Sequence, residues 1–161
     1  MQKLNGREIY SGILLLLIAI IILGAQVIEL KSSYSDAFRT SENTIQIASG
    51  DLKDILHNLV IVILGFSGAL LLFRKKLAGW VIGSSLLLFF TVLAVYFLVS
   101  SFNLYGTGIE MIVISLLTLI PLLGLIFLLM PSTLKKYRVG IKAIIPTLLL
   151  FMALVSITIF L

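Results

Sequence analysis

The sequence predicts an all-α integral membrane bundle of five transmembrane helices, with the N-terminus inside and the C-terminus outside. Three observations carry that prediction. Hydrophobic residues make up 60% of the 161-residue chain and charged residues only 12%, against about a quarter charged in an ordinary soluble domain. The apolar residues collect in five uncharged runs, Ile9 to Ile28, Ile55 to Phe73, Leu77 to about Ser100, Met111 to about Met130 and Ala143 to Leu161. Each is near the roughly 20 residues that cross about 30 Å of hydrocarbon as a helix. The cations sit in short clusters between the runs, which is the pattern of membrane topology and not of a nucleic-acid-binding face. The chain is therefore expected to be one membrane domain over 1–161, in contact with membrane lipids and with no nucleic-acid partner.

Taken in order, the first helix is expected over about 9–30. Lys3 and Arg7 precede it as in a signal peptide, but its apolar core exceeds the roughly 7 to 15 residues of a signal sequence and no small-x-small cleavage site follows, so it reads as a retained span. An outer loop is expected over about 31–51, because "KSSYSDAFRTSEN" is polar and turn-like. Within it Tyr34 and Phe38 are candidates to fold back over the helix ends. "ASGDLKDILHNLV" reads as a helix start with Ser49 or Asp51 as N-cap, leading into a second helix over about 52–73. Arg74, Lys75 and Lys76 form a basic turn. The third helix, about 77–101, carries Trp80 one turn inside, and Trp80 with Arg74, Lys75 and Lys76 reads as a set of interface anchors. The uncharged loop "SFNLYGTG" leads to a fourth helix over about 109–130, and the basic turn "KKYRVG" to a fifth over about 142–161.

The orientation follows from counting cations. Lys3, Arg7, Arg74, Lys75, Lys76, Lys135, Lys136, Arg138 and Lys142 fall at one end and Lys31, Arg39 and Lys53 at the other, and the end rich in cations belongs in the cytoplasm. The second and third helices then form one hairpin and the fourth and fifth another. "KKLAG" followed by "LLLF" in the first is echoed by "KKYRVG" followed by "LLLF" in the second, which would fit a parallel hairpin repeat.

Small residues mark the expected helix contacts. Gly79 and Gly83 form a G-x-x-x-G in "GWVIG", and Gly65 and Gly68 lie near the same end of the hairpin; such spacing lets backbones approach closely in lipid. Packing within the chain and contact with another subunit are both compatible with it. Pro121, with Gly124 one turn later, removes a helix hydrogen bond and predicts a kink in the fourth span, with Thr118 placed to help the freed carbonyls.

The candidate polar site lies at the outer face. Asp54 and His57 are three apart at the start of the second helix, Gln26 and Glu29 three apart at the end of the first, and Glu29, Asp54 and His57 would converge if those helices pack together. An imidazole with carboxylates can take a divalent cation or hold a titrating proton; the simpler alternative is an interfacial His bonded to one acid.

Absences shape the functional expectation. Apart from His57, the spans hold no ionisable side chain other than tyrosine, whereas ion-coupled transporters place acids or histidines in the bundle interior. The single His excludes bis-His haem ligation by this chain, and the lack of Cys excludes thiolate chemistry. No Walker loop, G-x-S-x-G or H-E-x-x-H occurs, so no catalytic residue, cofactor or metal is expected. The first expectation is a small non-catalytic subunit packed within a larger membrane assembly, in a bacterial inner membrane. The alternative is a small channel, carrier or lipid-handling protein.

Overall fold

The computed structural model describes residues 5–39, 49–105 and 108–160, and no strand occurs among them. The described residues form six helices: α1 (Gly6–Arg39), α2 (Ser49–Phe73), α3 (Leu77–Tyr105), α4 (Ile109–Leu129), α5 (Pro131–Tyr137) and α6 (Ile141–Phe160). Five of them are long and apolar enough to cross a membrane, over Gly6–Lys31, Lys53–Phe73, Leu77–Phe102, Ile109–Leu129 and Ile141–Ile159. The chain has the fold of a multi-pass membrane protein.

The helix boundaries differ from expectation most in two places. α1 runs on to Arg39, so the first part of the expected outer loop is helical; its residues Lys31 to Arg39 include no Pro or Gly to stop the helix. The expected fold-back of Tyr34 and Phe38 and the caps at Ser49 or Asp51 fall on side chains outside the described residues. The expected turn between the fourth and fifth spans contains the extra helix α5. Pro131 starts it, since proline is preset for the first helical turn and its missing N–H costs nothing there.

α1, α2, α3 and α4 form a ring, each packed on the next, with α4 closing on α1. α1 contributes Glu8, Ser11, Gly12, Leu15 and Ala19 to the interior, a 3–4 spacing that keeps one helix face inward. α3 is the hub: it packs against α2 and α4 and also carries α6. Its apolar character on all sides fits that position, and it is largely buried from Gly79 to Thr91 before becoming largely exposed from Val92 to Val99.

The two expected hairpins do not match. α2 and α3 pack directly, but α4 and α6 make no comparable contact, because α5 carries the chain across the basic end and α6 docks on α3. A parallel hairpin repeat is thus not the arrangement observed. The two basic turns nevertheless close alike. Lys75 and Arg138 adopt left-handed φ values of 56° and 51°, and each is followed by a residue whose N–H reaches back five residues, Lys76 to Leu71 and Val139 to Leu134, both at 2.9 Å. This is the Schellman closure, here made with cationic side chains in place of glycine.

Candidate functional site

The basic end of the bundle buries an ionised side chain. Glu8 in the first turn of α1 is 1% exposed. Its Oε2 accepts the backbone N–H of Asn5 at 3.0 Å and pairs with the Lys136 ammonium of α5, while Oε1 has no hydrogen-bond partner. The Asn5 contact is one half of a capping box, in which the third helical residue reaches back to the cap N–H. α5 lies across this end, and its contacts reach α1, α4 and α2. Ser132 Oγ accepts from Arg7 Nη1 of α1 at 3.0 Å, Thr133 Oγ1 donates to Phe127 O of α4 at 2.9 Å, and Tyr137 Oη donates to Leu72 O of α2 at 3.1 Å. Burial first, and the Glu8 carboxylate second, push the Tyr137 phenol above its ordinary range.

The same end uses hydroxyls and one indole to tie helices together. Ser11 donates to Gly124 O at 3.0 Å, Trp80 Nε1 to Leu128 O at 2.9 Å and Ser85 to Thr147 O at 2.9 Å. Phe127 and Leu128 stand in the last turn of α4, where helix carbonyls have no partner of their own; in hydrocarbon such groups must be satisfied within the protein. Trp80, expected as an interface anchor, is instead 2% exposed. Its ring joins the core because α4 ends beside it and offers an acceptor. Arg74 and Lys76 are exposed on the α2–α3 turn and Lys75 is half-buried.

The glycines lie at close approaches within the chain. A Cβ on Gly79 would run into the backbone of Leu71 and Leu72, so the α2–α3 turn has no room for one, and a Cβ on Gly65 would meet the Ala19 Cβ at 2.9 Å. Gly68 and Gly83 face Ile82 and Leu72 side chains. Pro121 and Gly124 are buried on α4, and α1 supplies the donors there, with Tyr10 Oη on Ile120 O at 3.3 Å as well as Ser11. Thr118 donates to Ile114 O at 2.9 Å and Ala94 O at 3.5 Å.

The far end is different. Glu29 and Asp54 are exposed and His57 half-buried. His57 turns toward α6 and α3, with Nε2 3.3 Å from Thr158 Oγ1 and its ring edge-on to Phe89 at 6.5 Å. Among the described residues no group of three or more His, Asp or Glu side chains is gathered to hold a metal ion, so packing of α1 on α2 does not assemble the expected trio. There Asn58 Nδ2 of α2 donates to Gln26 Oε1 of α1 at 2.6 Å.

Beside the buried pair an open cleft of about 620 Å³ lies between the start of α1, the end of α4 and the start of α5, lined by Asn5, Gly6, Arg7, Tyr10, Phe127 and Ser132. Tyr10 and Phe127 form its aromatic wall, edge to face at 5.4 Å and 79°. Sequence reasoning missed both the cleft and Glu8. A signal existed: Asn5-x-x-Glu8 has capping-box spacing, and Glu8, Ser11, Leu15 and Ala19 share one helical face. Comparison with protein families, with curated proteins and with solved structures found no match to this chain.

Proposed function

We propose that the chain is a non-catalytic subunit of a larger membrane assembly, with the basic end in the cytoplasm and the bundle in a bacterial inner membrane. The observation that carries the proposal is how the interior is filled. Leu15, Leu72, Leu86, Leu87 and Leu128 occupy it, and the hydroxyls buried with them, Ser11, Ser84, Ser85 and Thr91, donate to helix carbonyls. A conduction path needs polar groups turned toward a water-filled lumen; these are spent on helix packing. The cytoplasmic assignment rests on nine of twelve cations falling at one end. Affinity purification of the tagged protein in a mild detergent, followed by native electrophoresis and mass spectrometry, is expected to yield a discrete complex of fixed stoichiometry. A monodisperse protein with no partner lost on solubilisation would overturn the reading.

A second reading, lipid handling, is favoured by the cleft at the basic end. Lipid transfer between vesicles indistinguishable from protein-free controls would remove it.

A further inference from the structure

We propose that the cleft between α1, α4 and α5 binds the phosphate headgroup of an anionic phospholipid, with Arg7 as the principal contact. The inference goes beyond the subunit reading and does not depend on it.

Charge complementarity comes first. Eight cations among the described residues belong to this end, Arg7, Arg74, Lys75, Lys76, Lys135, Lys136, Arg138 and Lys142, and of the acids among the described residues Glu8 alone stands here. That carboxylate is buried and paired with Lys136, so it is withdrawn from the surface and leaves an attractive field for an anion. Membrane depth comes second. The cleft sits where α1 and α4 end their apolar spans, Gly6–Lys31 and Ile109–Leu129, which is the level of the headgroups in a bilayer.

The lining matches a lipid phosphate in its parts. A guanidinium presents five N–H donors in a fork that suits phosphate. Arg7 is exposed and directs Nη1 to the Ser132 hydroxyl across the cleft, so one phosphate oxygen can accept from both groups once that contact opens. The wall of Tyr10 and Phe127 gives the glycerol and first methylenes an apolar surface, and Ile13 and Leu123, about one helical turn from them in sequence, are exposed. A volume of about 620 Å³ is within the range of small-ligand sites, roughly 300 to 1,000 Å³. A free phosphate could satisfy the polar half alone but would leave the aromatic wall unused.

The test uses the full chain in nanodiscs of phosphatidylcholine with a minor fraction of phosphatidylglycerol, and native mass spectrometry counts the lipids that remain bound on release. Preferential retention of phosphatidylglycerol is expected. Arg7→Gln should lower it about tenfold, the loss of one charge-assisted contact. Arg7→Lys should lower it less, and Lys75→Gln, on the α2–α3 turn, should leave it unchanged. Ser132→Val, at an exposed site, provides a second variant if Arg7→Gln does not fold. Equal retention of the two lipids, or equal losses in Arg7→Gln and Lys75→Gln, would overturn the site. Displacement of the lipid by millimolar inorganic phosphate would overturn its assignment to a lipid headgroup.

Discussion

At the basic end, Glu8, Trp80 and Tyr137 are nearly inaccessible, and each reaches a partner on another helix or loop. At the far end the ionisable Glu29, Asp54 and Glu110 are exposed and His57 is half-buried, and among the described residues only uncharged polar groups such as Gln26 and Ser101 are buried there. Both ends carry polar residues beside apolar spans, so composition does not separate them. Covering does: α5 crosses the basic end, and the hub helix α3 is surrounded there, whereas its far half is largely exposed. A polar residue near a membrane surface is a solvated group or a structural joint according to what lies over it, and its energetic weight changes accordingly.

The strongest way to break this contrast is to strand Glu8. Lys136→Met leaves a buried carboxylate unpaired and is expected to destabilise the protein by about 3 kcal/mol, read as a lower thermal midpoint in mild detergent. The double variant Glu8→Gln with Lys136→Met should recover part of the loss. Equal stability of Lys136→Met and the native protein would show that the pair does not hold α5 in place.

Next in size is a pair of alanine substitutions. Gly79→Ala places a methyl against the backbone of Leu71 and Leu72 and is expected to cost about 2 kcal/mol or more by overpacking. Gly24→Ala, farther along α1 with nothing within 4 Å of its Cβ position, should instead stabilise by about 0.5 kcal/mol. Opposite signs sharpen the comparison, and equal effects would remove close packing as the distinguishing feature.

Tyr137 adds a pH dependence. Its phenol is held above the ordinary value of 10.0, so the neutral form is favoured in the folded state. That contribution is fully present below pH 10 and is lost as pH rises through the higher folded value. Tyr137→Phe should cost about 1 kcal/mol at neutral pH, from the lost bond to Leu72, and should flatten the alkaline fall relative to the native protein. An unchanged alkaline slope would count against burial of this hydroxyl. The smallest loss is expected at the far end, where His57→Ala removes an edge contact with Phe89 and a bond to an exposed Thr158, worth under about 1 kcal/mol. A loss as large as that of Lys136→Met would erase the distinction between the ends.

The sequence by itself determined the membrane class, the five spans and the clustering of cations at one end, because hydrocarbon demands long uncharged helices and basic residues stay at their ends. It also marked Gly79 and Pro121 as places of close packing or altered bonding, since both residues act through their own backbone chemistry. Tertiary structure decided the rest. That Glu8 is buried depends on Lys136 arriving from 128 residues away, and that Trp80 turns inward depends on α4 ending beside it. α6 docks on α3 because α5 moves the chain away from α4, and a proline followed by six ordinary helix residues reads as a turn until its contacts are known. His57 meets Thr158 and Phe89 instead of nearby acids because helical spacing sets which residues share a face, whereas the identity of the facing helix is settled only by how the whole bundle packs.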